Sequence, residues 1–305
     1  MPPPTPAPPT RPVLTPGSPL DQLRGRVVEA LSALPGYFTS KTTIEGLAAT
    51  DLFSLNTVLG ATIEVQVVQT LNRMRDAWDP NDQWPMHTFE RQPQTFPDVR
   101  LVSHAGGMPN VALGIELKGW YLLAKEKEPS LRYKVTPAAC ADADLVVVVP
   151  WYLSNVLAGT PITIAPWVES ARYAAEFRNH WWQHIRQTTS DAAIDLPAGV
   201  GPYPTKDQQI GDRPHSDGGN NFGRIARIDD LMGDFINNAL TTSVAGIPAE
   251  DWVQFFRTYS ENRDPEQIKT MLKARYAAAT AVGTQQDGER IIALLDELAA
   301  VLDQA

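Results

Sequence analysis

The sequence has a single cysteine, Cys140, among 305 residues. One thiol can form neither an intramolecular disulfide nor a cysteine-cluster zinc site, and such sparing use of cysteine fits a reducing cytoplasm. No run approaches the roughly 20 apolar residues that a membrane-spanning helix requires, and the start lacks the basic-then-apolar order of a secretory signal. Neither G-x-x-x-x-G-K-[ST] nor G-x-G-x-x-G occurs, so no standard phosphate-cradling loop is present, and without G-x-S-x-G there is no serine-hydrolase elbow. Positive charge is also scarce: 26 Lys and Arg stand against 35 Asp and Glu, for a net charge of −9. That balance is awkward for a polyanion binder, whose phosphate contacts need cations. The deficit is uneven, however. Residues 229–305 hold 13 acidic and 6 basic side chains, whereas residues 1–228 hold 22 and 20 and are nearly neutral.

What the chain does contain is centred on Phe96 to Trp120, FPDVRLVSHAGGMPNVALGIELKGW. Phe96–Ser103 is rich in strand-forming residues, His104–Asn110 carries two glycines and a proline, and Val111–Trp120 alternates as a returning strand. In that strand Val111, Leu113, Ile115 and Leu117 share one face, and Ala112, Gly114, Glu116 and Lys118 the other. Gly114 leaves room beside Glu116. Antiparallel pairing would carry Asp98 toward the end that bears Glu116 and Lys118, so that two carboxylates and an ammonium converge.

Pro97-Asp98 followed by Glu116-Leu117-Lys118 resembles the PD-(D/E)XK signature of the restriction-endonuclease-like nucleases. The chemistry explains the pattern, because a phosphodiester is anionic and very slow to hydrolyse and needs charge neutralisation and a hydroxide-like nucleophile. The resemblance implies that Asp98, Glu116 and the Leu117 carbonyl hold Mg²⁺, with Glu64 supporting a second ion, and that Lys118 assists the attacking water. A strand ending in Glu-x-Lys can also be an ordinary solvated edge. Glu64 in IEVQVVQ can equally be a glutamate at the margin of a core helix.

Around this centre, residues 1–19 contain nine prolines and read as a disordered leader. Leu20–Leu34 is expected to be a helix ending at Pro35-Gly36. A longer helix over about 51–78 places Ile63, Val67, Leu71 and Met74 on one buried stripe. Asp76–Gln94 reads as a polar connector, Thr136–Ala143 as a small-residue helix, and Asp144–Trp151, DLVVVVPW, as a strand buried on both faces. Pro166–Thr188 is expected to be helical. Its Arg172 and Arg178 could follow a phosphate backbone or merely flank the helix, while His180 and His184 have metal-pair spacing but lack the glutamate of H-E-x-x-H. Candidate DNA contacts are Arg132 and Lys134 after the signature strands, and Arg213, His215, Asn220, Asn221, Arg224 and Arg227 in and beside a glycine-rich loop, a composition that also makes ordinary turns. Residues 229–305 read as wholly helical, with Ile292, Leu295, Leu298 and Leu302 forming a packing or dimerisation edge.

The order of elements resembles the αβββαβ nuclease core, and the expected fold class is therefore α/β, a restriction-endonuclease-like mixed sheet flanked by helices, with the nuclease domain over 20–228 and a helical C-terminal region. The function implied is Mg²⁺-dependent cleavage of double-stranded DNA to 5′-phosphate and 3′-hydroxyl ends. A type II restriction enzyme would work as a homodimer alongside a protecting methyltransferase. A structure-selective repair or phage-defence nuclease, and a non-catalytic binding or scaffold protein, are the competing readings.

Overall fold

Helix α1 (Pro19–Tyr37) begins where the Ser18 hydroxyl accepts the Asp21 N–H at 3.2 Å, with proline at the first turn, where its missing donor costs nothing. It continues past the expected stop through Pro35, and its last turn is closed by the Phe38 N–H on the Leu34 carbonyl at 2.8 Å. The structure is a computed structural model that describes residues 6–47, 52–92, 95–186, 199–205, 208, 210–211, 221–260 and 270. In the leader, Arg11 donates to Glu169 at 2.7 Å and lies 4.4 Å from the ring centroid of Tyr173, so this stretch is attached at one point rather than wholly solvated.

Helix α2 (Leu55–Arg73) buries Ile63, Val67 and Leu71, the stripe that the spacing predicts, and Met74 is buried just beyond its end. The single turn α3 (Arg75–Trp78) drives Trp78 into the core, where its indole N–H finds the Leu71 carbonyl at 2.9 Å.

The main sheet contains β1 (Thr88–Arg91), β2 (Val99–Ser103), β3 (Asn110–Tyr121), β4 (Leu145–Leu153), β5 (Pro161–Thr163) and β6 (Trp167–Ser170). Its order is β1-β2-β3-β4-β5, with β6 also on β4; β3 and β4 run parallel and the other pairs antiparallel. The fold is thus α/β, a mixed sheet with flanking helices. Val146–Val149 of β4 is buried on both faces, as its unbroken apolar run predicts.

Three expectations between residues 76 and 188 need correction. The connector 76–94 contains a strand, β1, in which only Phe89 is buried, so no apolar alternation betrays it; the Asn72 side chain on α2 grips the Phe89 N–H and carbonyl at 2.8 and 2.9 Å. The helix expected over 136–143 contracts to a 3₁₀ turn, Pro137–Ala139. The helix expected from Pro166 starts only at α4 (Ala171–His180), because Trp167–Ser170 pairs with β4; Ser170 caps it, and it widens into a π-helical turn, Trp181–Ile185.

The C-terminal region is not wholly helical. Between α5 (Gly233–Leu240) and α6 (Ala249–Ser260) lies a hairpin of β7 (Ser243–Val244) and β8 (Ile247–Pro248). Ala245 and Gly246 both have positive φ, 51° and 85°, which suits a two-residue turn of primed type. The helices expected over 265–282 and 288–302, with the Ile292–Leu302 stripe, lie outside the described residues apart from residue 270.

Candidate active site

Strand β3 outruns its neighbour. Strand β2 pairs with it only as far as Val99 opposite Ile115, so along the same edge the N–H groups of Leu117, Gly119 and Tyr121 have no strand to meet. Three side chains take the place of that strand. Asp98 Oδ2 accepts from Leu117 N at 3.1 Å, Glu64 Oε1 from Gly119 N at 3.2 Å, and Asn56 Oδ1 from Tyr121 N at 3.1 Å. Asn56, Gly60 and Glu64 stand four residues apart, on one line along α2. The absence of side chains at Gly60 and Gly119 lets helix and strand come close; a Cβ added to Gly119 would lie 3.5 Å from the Gly60 carbonyl oxygen.

Two cations join the carboxylates. Lys118 Nζ lies 3.9 Å from Glu64 Oε1, and Arg91 Nη2, at the end of β1, 3.6 Å from Glu64 Oε2. The charge of Asp98 raises the affinity of Glu116 for a proton, and the nearby Asp98 backbone N–H opposes it. Burial pushes Asp98 up to about 6, and the charge of Glu64 adds to it, against the Leu117 N–H, Arg91 and Lys118. Burial also holds Glu116 well above the usual carboxylate range, with the Asp98 charge next in importance. A cation at this point would relieve both the repulsion and the loss of solvation.

The donors suit a hard ion. Among the described residues no group of three or more Asp, Glu, His or Cys side chains is arranged to hold a metal ion, but Mg²⁺ can bind through one or two carboxylates and keep several waters. Asp98 and Glu116 are the two carboxylates here that could do so. The Leu117 carbonyl could add a further oxygen, because in a strand it points to the same edge as the Leu117 N–H, toward Asp98 and away from β4.

The space beside Glu116 is filled rather than open. A Cβ on Gly114 would lie 2.5 Å from Pro97 Cγ and 2.9 Å from Asp144 Oδ1. The glycine therefore lets the Pro97 ring cross β3 and set Asp98 at its edge. Asp144 holds the same crossing: its carboxylate accepts from Gly114 N at 2.7 Å, Ala141 N at 2.8 Å and the Tyr203 hydroxyl at 2.9 Å. Gly114→Ala is expected to displace Asp98 and lower stability by about 1–3 kcal/mol through overpacking. Thermal melting of the variant beside the wild type checks this.

The structure thus brings Glu64, Asp98, Glu116 and Lys118 together. Sequence reasoning does not single out Asn56, Arg91 or Asp144; the eight-residue spacing of Asn56 and Glu64, two steps of four along one helix face, is the available signal for the first, and no pattern marks the other two. A second group gathers elsewhere. Arg132 pairs through its backbone with Arg224, and Arg227 donates to Asn221 Oδ1 at 3.0 Å. Glu128 lies 3.7 Å from Arg224 and in short contact with Arg227, so the acidic residue partly neutralises two of the expected DNA contacts. Lys134 flanks the same segment, where a Cβ on Gly223 would come within 3.0 Å of its Cγ. Arg213, His215 and Asn220 lie outside the described residues. Arg172 and Arg178 are spent internally: Arg172 Nη2 donates to the Cys140 carbonyl at 2.6 Å, and the buried Arg178 Nη1 to the carbonyls of Tyr133 and Val135 at 2.8 Å each. The His180 and His184 rings sit 5.3 Å apart, with His180 held below its usual range by burial and then by the charge of its neighbour.

Among the described residues no helix is long and apolar enough to cross a membrane. No protein-family model matches the sequence, and no curated protein matches it significantly.

Proposed function

We propose that the chain is a Mg²⁺-dependent endonuclease of the PD-(D/E)XK type, with a restriction-endonuclease-like fold, that hydrolyses double-stranded DNA. The observation that carries this reading is the convergence of Asp98, Glu116, Glu64 and Lys118 where β3 leaves its antiparallel partner. Bound Mg²⁺ would neutralise phosphate charge and supply an acidified water. Asp98, Glu116 and the Leu117 carbonyl would hold it, and Glu64 would support a second ion. Lys118 would orient the attacking water or meet the charge that grows on the phosphoryl oxygens. Arg91, already beside Glu64, would offset the local negative charge as the phosphate approaches.

Within this class we favour a site-specific type II restriction enzyme, acting in the cytoplasm as a two-fold dimer on a palindromic sequence, with a methyltransferase guarding the host DNA. Asn221, Arg224 and Arg227 would then reach the nucleic acid, with Arg132 and Lys134 beside them.

A second reading has an observation of its own. Asp98 and Glu64 each satisfy a β3 backbone donor, which is work that a non-catalytic scaffold would also require. Incubation of phage and plasmid DNA with the protein in Mg²⁺ and in EDTA separates the two. Discrete fragments with 5′-phosphate ends, formed only with the metal, are the expected result. Nicking confined to junctions or ends would point to a structure-selective nuclease instead, and intact DNA on many unmethylated substrates would favour the scaffold.

A further inference from the structure

Arg91 stands beside the carboxylate cluster on a fixed base. It is the last residue of β1, opposite Val99 on β2, and the next residue, Gln92, donates its N–H to the Asp98 carbonyl at 2.7 Å. Asn72 of α2 holds the same strand through the Phe89 N–H and carbonyl. Phe89 points into the core, its ring centroid 5.3 Å from that of Trp78, and Arg91, two residues on, projects to the same face, where Glu64 lies on α2.

The base is rigid, but the head is hardly engaged. The Arg91 guanidinium reaches Glu64 Oε2 at 3.6 Å, beyond the roughly 2.7–3.2 Å of an N–H···O hydrogen bond. Among the described residues it makes no hydrogen bond and no second ion pair, and 41% of its side chain is exposed. Arg172 and Arg178 differ, since their guanidinium groups are committed to backbone carbonyls at 2.6–2.8 Å. A long, half-exposed ion pair adds little stability. The planar fork of arginine, by contrast, matches phosphate oxygens two bonds at a time.

Glu64 is the shared element. It accepts the Gly119 N–H at 3.2 Å, lies 3.9 Å from Lys118 Nζ and carries the Arg91 pair on its other oxygen. A metal ion and a guanidinium at one carboxylate repel each other, so each weakens the hold of the other. Resting on the nuclease reading, we propose that Arg91 is a DNA-binding residue governed by Glu64: it is stored on Glu64 in the metal-free protein and turns to a backbone phosphate of the duplex when Glu64 takes up a cation. Phosphate capture is thereby tied to loading of the site, and a protein unable to cut holds DNA less tightly.

Two measurements that involve no cleavage test this. In the first, Mg²⁺ is titrated into full-length wild type and Arg91→Gln without DNA. Removal of the competing guanidinium should tighten Mg²⁺ binding about two- to fivefold, the scale of an exposed ion pair; a residue that only shaped the site would weaken it. In the second, binding of a double-stranded oligonucleotide is followed by fluorescence anisotropy in EDTA for the wild type, Arg91→Gln, Glu64→Gln and the double variant. Glutamine at position 64 keeps an oxygen for the Gly119 N–H and releases Arg91. Arg91→Gln should cost little alone and about tenfold or more beside Glu64→Gln, as loss of a hydrogen bond to a charged group does, with the salt slope reduced by about one. The charge removed with Glu64 counts equally in both backgrounds and cancels. Arg91→Lys beside Glu64→Gln, which keeps the charge without the fork, should recover part of the affinity. Circular dichroism confirms that each variant folds. Equal effects of Arg91→Gln in the two backgrounds, or Mg²⁺ binding that is unchanged or weaker in folded Arg91→Gln, would overturn the proposal and leave the nuclease reading standing. Wild-type protein that takes up neither Mg²⁺ nor duplex DNA would overturn both.

Discussion

Replacing Glu116 with glutamine is expected to abolish metal-dependent cleavage while making the metal-free protein more stable. Glutamine keeps the shape of the side chain and removes a charge that burial and the Asp98 carboxylate both disfavour. Cleavage should fall about 10²–10³-fold or more, the scale on which loss of one preorganised electrostatic contact is felt. Stability without metal should rise by about 1–2 kcal/mol, as happens when a strained functional site is relaxed. Added Mg²⁺ should restore the balance: the wild type would gain about 2.7 kcal/mol at a hundred times its dissociation constant, and the variant almost nothing. Melting curves with and without Mg²⁺ for both proteins measure these terms. A variant that is less stable than the wild type without metal would contradict the assignment.

The same cluster fixes a pH dependence. The folded-state pKa of Asp98 is about 6, above its ordinary value of 3.8, so the folded metal-free protein binds this proton more tightly than the unfolded chain does. The resulting stability is fully present below about pH 4 and is lost as the pH rises through 6. Metal binding requires the deprotonated carboxylates, and Mg²⁺ affinity should therefore fall as the pH drops below that point. In Asp98→Asn the share of this pH dependence that Asp98 supplies should be lost, leaving the share that the raised Glu116 carboxyl contributes in the same direction.

The second large effect lies in the core. Arg178 is wholly buried, with its Nη1 on two carbonyls at 2.8 Å and its guanidinium 5.0 Å from the Phe222 ring centroid. Arg178→Met would leave the Tyr133 and Val135 carbonyls unpaired. At about 1–3 kcal/mol for each buried group left unsatisfied, a loss of about 3 kcal/mol is expected. Since Arg178 ties α4 to the 131–135 segment, the loss should also loosen the 221–228 segment that leans on it. Chemical denaturation reads the first effect and hydrogen exchange at Tyr133 and Gly223 the second. A change below 1 kcal/mol would show that the two carbonyls find other partners.

How much of this was legible beforehand depends on where the information lies. The 114–118 alternation carried the faces of β3 faithfully, because a half-buried strand must alternate, and the Val146–Val149 run announced a doubly covered strand. The α2 stripe was legible for the same reason. Strand β1 was not: a four-residue strand with one buried side chain has no period to detect, and its place is fixed by Asn72 from another element. Helix α4 was expected too early, since pairing of Trp167–Ser170 with β4 overrides the helical pattern of the residues around it. At the site, the signature residues could be read from spacing, but the reason they converge could not. That reason is tertiary: β3 runs on beyond β2, and Asp98, Glu64 and Asn56 complete its edge. The Gly114 gap looked like free space in the sequence because nothing local says that Pro97 will fill it.

The most direct measurement is cleavage of unmethylated phage DNA by the wild type, Glu116→Ala and Lys118→Ala, side by side in Mg²⁺ and in EDTA. Discrete fragments that require the metal and vanish in both variants, with each variant still folded, are the predicted result. Cleavage that persists in both variants would contradict the account, because the carboxylate and lysine at the β3 edge would then not be the site of the chemistry.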